Sequence, residues 1–90
     1  MTSGGSNLPS AAQDPAGAAR AAMLQLAQSA RANGQIYSAV HIYEHLLQEY
    51  PRTSESRRAA EEMIALARFL ETQGMYHTAL SFYERLEQLQ

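Results

Sequence analysis

Apolar positions along the chain fall into runs with a helical period, and the runs recur. Met23, Leu26, Ala27 and Ala30 stand at i, i+3, i+4 and i+7, as do Met63, Leu66, Ala67 and Leu70. That spacing places each set on one stripe of an amphipathic helix. A second kind of stripe follows each of these: Ile36, Val40, Tyr43, Leu47 and Tyr50 in the first half, then Tyr76, Leu80, Tyr83, Glu87 and Gln90 in the second. β-branched residues are few, and no stretch alternates with the period of two that a strand requires. The pattern predicts an all-α chain with helices near 15–33, 35–50, 54–73 and 75–89.

The residues between the stripes punctuate them at the same places. Asp14 before Pro15 reads as an N-cap followed by proline in the first helical turn. Ser54 stands forty residues on, with Glu55 behind it as an acid suited to a helix N-terminus. Gly34 and Gly74, behind Asn33 and Gln73, read as C-terminal stops where a left-handed residue is needed. Pro51 bars continuation after Tyr50.

Aligning 14–50 on 54–90 gives ten identities in 37 pairs, against about three or four expected by chance at this composition. They include Met23/Met63, Leu26/Leu66, Gly34/Gly74, Ala39/Ala79, Tyr43/Tyr83 and Leu46/Leu86. Each copy is a helical hairpin, in which small Ala27 and Ala67 face Ala39 and Ala79 and let the helices approach closely. The domain spans 14–90, as repeats 14–50 and 54–90. Residues 1–13, "MTSGGSNLPSAAQ", are Gly/Ser-rich without an apolar period and are expected to form a disordered, flexible N-terminal tail.

These residues resemble the tetratricopeptide repeat, whose pattern runs W-x2-L-G-x2-Y, then A-x3-F, then P. Here it reads Met23-x2-Leu26-Ala27-x2-Ala30, Ala39-x3-Tyr43 and Pro51, then Met63-x2-Leu66-Ala67-x2-Leu70 and Ala79-x3-Tyr83. Met stands for Trp, Ala stands for Gly, and the period is 40 rather than 34. The extra residues precede each first helix's stripe and lengthen that helix by more than a turn. The long period and the ending "EYP" are similar to repeats in bacterial assembly scaffolds. The resemblance implies two stacked antiparallel hairpins and a non-enzymatic adaptor that binds another protein or peptide. It implies a concave surface lined by the first helix of each repeat, at Leu24, Gln28, Arg31, Ile64, Arg68 and Glu71. The basic-and-Asn clamp with which some members hold a C-terminal carboxylate is not visible.

Composition narrows the function classes. Net charge is −2 with the basic residues scattered, whereas a nucleic-acid partner asks for a basic stripe. No stretch approaches the roughly 18–20 apolar residues that span a bilayer, so no direct membrane insertion is expected, and the cytoplasm is the expected compartment. Cysteine is absent, which removes disulfides and thiolate chemistry. His41 and His45 share a helix face at i, i+4, but they align with Ser81 and Arg85, so a solvated face is expected rather than a zinc site with a third ligand. Glu61–Glu62 and Glu84 with Glu87 are expected on exposed helix faces, without the contrasting environments that acid–base catalysis needs. No cofactor, metal or catalytic residue is expected.

Two hairpins leave a face that a third would cover. Phe69 replaces Ser29 of the first copy, as expected if no hairpin precedes that copy to cover a large side chain there. In the second copy Met75, Ala79, Phe82, Leu86 and Leu89 are expected to turn inward. Tyr76, Leu80 and Tyr83 are then left open at the far end. That end is expected to complete itself on another protein, making the chain a small subunit of a larger assembly. The alternative is a self-associating structural protein whose open end pairs with a twofold mate in a homodimer.

Overall fold

A computed structural model describes residues 15–89. The expected tail 1–13, the expected cap Asp14 and the last stripe position Gln90 lie outside the described residues. Four helices follow in order: α1 (Pro15–Ala32), α2 (Ile36–Glu49), α3 (Ser54–Thr72) and α4 (Tyr76–Leu89). α1 packs on α2 and α3 on α4, which makes two hairpins, and α2 packs on α3, which stacks one hairpin on the other. This is the all-α stacked-hairpin architecture that the periodicity predicts. The first helix of each hairpin is the longer, at 18 and 19 residues against 14 for each second helix.

The two hairpin turns are built alike. Gly34 and Gly74 both have φ +79, a left-handed conformation that glycine enters without a Cβ clash. Gly34 N–H donates to the Arg31 carbonyl at 3.0 Å and Gln35 N–H to the Ala30 carbonyl at 2.8 Å. In the second turn Gly74 donates to Glu71 at 3.0 Å and Met75 to Leu70 at 2.9 Å. This pair of bonds is the Schellman arrangement, which satisfies carbonyls that the helix end leaves open.

The junction between hairpins departs from expectation by one residue. The N-cap of α3 is Thr53, not Ser54, which is the first helical residue. Thr53 is extended, and its hydroxyl oxygen accepts from Ser56 N–H at 3.1 Å while Thr53 N–H donates to Ser56 Oγ at 3.1 Å. Ser56 therefore closes a capping box three residues on. Thr53 Oγ1 also donates to the Tyr50 carbonyl at 2.8 Å. Glu55 lies in the first turn as expected.

The core runs through both hairpins. Val40, Tyr43 and Leu46 of α2, Met63, Leu66 and Leu70 of α3, and Phe82 and Leu86 of α4 form one buried cluster. Ala27, Ala39, Ala67 and Ala79 are all buried within it, as a close crossing within each hairpin requires. Two expectations fail. Leu26 was expected in the buried stripe but is 61% exposed, whereas its counterpart Leu66 is 2% exposed. Helical period identifies a face but not its neighbour: α2 is available to the Leu66 face, and no described helix precedes α1. Met75 was expected to turn inward but is also exposed; it lies in the turn before α4, outside the helix whose stripe it was meant to extend.

Candidate interaction surfaces

The outer face of α4 holds the three expected open-end residues. Tyr76 and Leu80 are 67% and 55% exposed, and Tyr83 is half-buried against the core. Tyr76, Leu80 and Tyr83 share a shallow hollow with Ala79 and with Glu71 of α3. Tyr83 Oη donates to Glu71 Oε2 at 2.5 Å. That bond, then burial, raise the Tyr83 hydroxyl above its ordinary range. Beyond Tyr83 the face turns polar at Glu84 and Glu87. The result is an apolar end with one fixed hydroxyl and an acidic margin.

The six expected concave positions do not act as one set. Leu24, Gln28, Arg31 and Ile64 are half-buried, and Arg68 and Glu71 are exposed. Leu24 and Ile64 pack partly against the core, so part of their apolar area is already in use. Gln28 and Arg31 meet in a hollow with Ala32, Arg58 and Glu62. Glu71 joins the α4 end instead, through Tyr83.

Glu62 was expected on an exposed helix face with Glu61, but it is half-buried and, among the described residues, accepts three side-chain hydrogen bonds. Its Oε1 accepts from Tyr43 Oη at 2.6 Å, and its Oε2 accepts from Gln28 Nε2 at 2.7 Å and Arg58 Nε at 2.8 Å. Burial opposes its ionisation, yet the hydrogen bonds from Tyr43, Gln28 and Arg58 outweigh burial and hold its carboxyl below the ordinary range. Burial, with the Glu62 bond next, pushes the Tyr43 hydroxyl well up. Gln28 reaches it from α1 and Tyr43 from α2, while Arg58 lies one turn earlier on α3, so the carboxylate ties α1, α2 and α3 together. Three donors on a carboxylate with about four acceptor sites hold it as an ionised structural acceptor. A sequence signal existed, a glutamate among the small and apolar residues of α3 with Arg58 one turn before it, but its partners Tyr43 and Gln28 lie on other helices.

Another polar tie runs parallel to it. Arg20 Nε donates to Glu55 Oε1 at 2.9 Å, and its guanidinium lies 5.8 Å from the Tyr50 ring centroid. The hydrogen bond from Arg20 is the main cause holding the Glu55 carboxyl below its ordinary range. His41 and His45 are both exposed. Among the described residues no group of three or more His, Asp or Glu side chains is placed to hold a metal ion, and no helix is long and apolar enough to cross a membrane.

Stacked antiparallel hairpins with a regular forty-residue offset define the chain as a helical-repeat protein. A family model described as tetratricopeptide repeat matches residues 21–53, from the middle of α1 through α2 to the Thr53 cap. The chain is tetratricopeptide-like: matched over its first hairpin, it repeats the same architecture in its second. The match begins after the first residues of α1, the stretch by which this helix exceeds the ordinary repeat. Comparison with curated proteins and with solved structures returns no match.

Proposed function

We propose that the chain is a non-enzymatic scaffold or adaptor, a small subunit of a larger cytoplasmic protein assembly. Its repeats are the kind that bind other proteins. The observation that carries the reading is the outer face of α4, where Tyr76, Leu80 and Tyr83 occupy the positions at which Ile36, Val40 and Tyr43 of α2 are covered by α3. Covering those side chains contributes at most about 4.5–9 kcal/mol at about 1.5–3 each, less for Tyr83, which is already half-buried. Association costs about 4–15 kcal/mol, so the end anchors a complex and needs a second contact area. The parts of the concave positions Leu24, Gln28, Arg31, Ile64 and Arg68 that stay accessible are the candidates for it, Glu71 already belonging to the α4 end.

The test is capture from the native source with the immobilised full chain. The reading expects a defined protein retained at near-stoichiometric level, with Leu80→Glu or Ile64→Glu reducing retention about tenfold or more through an unpaired carboxylate in the contact. Far-UV circular dichroism should be unchanged for Leu80→Glu, and for Ile64→Glu, whose side chain packs partly on the core, it checks that lost retention is not lost folding. Retention that survives both changes overturns the scaffold reading. Unfolding by Leu80→Glu removes the open end from it.

A further inference from the structure

The contact between α2 and α3 is a template whose two halves recur, exposed, on the outermost of the described helices, α4 and α1. By the forty-residue offset, the outer face of α4 repeats the face of α2 that α3 covers. The exposed face of α1 repeats the face that α3 lays on α2. Val40 is fully buried in that contact with Leu66 in the same cluster, while their counterparts Leu80 and Leu26 are mostly exposed; Met23, the counterpart of buried Met63, is half-buried. A face and its complement therefore stand open on one chain.

We propose that copies of this chain associate head to tail, α1 of one copy seating on α4 of the next as α3 seats on α2 within a copy. This rests on the scaffold reading and deepens it by naming a second copy as the occupant of the open end.

Where the ends differ from the template, the differences compensate in pairs. Ile36 and Phe69 line one hollow across the internal contact; their counterparts are Tyr76 and Ser29. Phe69 is itself 52% exposed, and at the open ends the aromatic ring stands on α4, opposite a small serine that leaves room for it. Leu47 and Ala60 line another shared hollow; their counterparts are Glu87 and Arg20. An apolar pair becomes a pair of opposite charges, and Arg20, which gives its Nε hydrogen to Glu55, keeps further guanidinium donors for a second carboxylate. Tyr43 Oη donates across the internal contact to Glu62, and the counterpart of Glu62 is Ala22. Tyr83 needs no acceptor from the next copy, because Glu71 of its own hairpin holds its hydroxyl. Covering Tyr83 thus strands no polar atom.

Such a contact uses two different patches, so it does not close on itself as a twofold dimer does, and growth is open-ended. Sedimentation velocity of the purified full chain, over a series from about 1 µM to about 1 mM, reads it directly. The average mass should climb past dimer without a fixed stoichiometry. Leu26→Glu and Leu80→Glu, both at exposed positions, should each weaken association by about a hundredfold and leave circular dichroism unchanged. The decisive sample mixes the two variants. Each keeps one good half, so the mixture should form a one-to-one dimer that stops there. Glu87→Arg should weaken association of the otherwise natural chain about tenfold, more at low salt than at high.

A natural chain that stays monomeric throughout overturns the proposal. So does a mixture that stays monomeric, or a Leu26→Glu variant that still dimerises, which would mean α4 pairing with α4. The scaffold reading fails separately, by capture of a partner that is indifferent to both Leu80→Glu and Ile64→Glu.

Discussion

Leu26 and Leu66 occupy the same position of the same helix in two copies of one unit, yet the first is open to solvent and the second is sealed. Val40 and Leu80 show the reverse: the first-copy residue is sealed and the second-copy residue is open. Each hairpin therefore carries two faces of potential core, and only the face turned toward the other hairpin becomes core. Hydrophobic character is set locally by the sequence, whereas burial is set by neighbours. Repeat proteins separate the two because each unit meets only the units beside it.

The comparison is broken most directly by making one substitution at both positions. Leu66→Ala should cost about 2–5 kcal/mol, the range for opening a cavity in a packed core. Leu26→Ala should change stability by less than about 0.5 kcal/mol, as a surface substitution does. Urea melts in dilute solution, where self-association does not contribute, measure both. Equal losses would mean that Leu26 is covered in solution within a single chain.

The same contrast runs through the polar groups. Tyr43 and Tyr83 are equivalent, and each donates its hydroxyl to a glutamate. Tyr43 reaches across the stack to Glu62, whereas Tyr83 stays within its hairpin and bonds an exposed Glu71. Glu62→Gln should cost about 1–3 kcal/mol near neutral pH, because it weakens three acceptor bonds and one of them serves a buried hydroxyl. Glu71→Gln should leave stability unchanged.

Acid separates the two sites further. The folded Glu62 carboxyl is held below its ordinary range, so between the folded and unfolded values the unfolded chain binds more protons. Its stabilising contribution is present above the unfolded value and is lost as pH falls through the folded one. Glu55, lowered chiefly by Arg20, contributes in the same direction. Melts from about pH 7 down to about pH 3 should show a shallower loss of stability for Glu62→Gln than for the natural chain. An unchanged acid slope would remove Glu62 from the tie between hairpins.

These particulars also show what was legible in the chain. The four helices, the alanine crossings and the Gly34 and Gly74 stops are functions of nearby residues, and the periodicity carried them. The open end at Tyr76, Leu80 and Tyr83 was legible because comparing the two second-helix stripes exposes the loss of apolar character toward Glu87. The matching comparison at the other end missed Leu26, since the first-helix stripes look equally apolar and differ only in what lies beside them. Glu62 was hidden for a related reason. Its neighbour Glu61 is exposed, and the arrival of Tyr43 and Gln28 from other helices distinguishes the two. The Thr53 cap was missed because both Thr53 and Ser54 have capping side chains, and the choice falls on the residue whose backbone is extended.

The smallest effect sharpens the comparison by requiring no difference at all. Gly34 and Gly74 have the same φ, close the same pair of backbone bonds, and would place an added Cβ in open space. Steric contact with the rest of the fold is therefore not at issue, and an alanine at either site would feel only the left-handed backbone. That strain costs about 1–2 kcal/mol. Gly34→Ala and Gly74→Ala should be destabilising by the same amount, within the error of a urea melt. The turns answer to local geometry, so position in the stack should not reach them. If Gly34→Ala costs clearly more than Gly74→Ala, the first turn is also held by the second hairpin, and the division between local turn and neighbour-dependent face does not hold there.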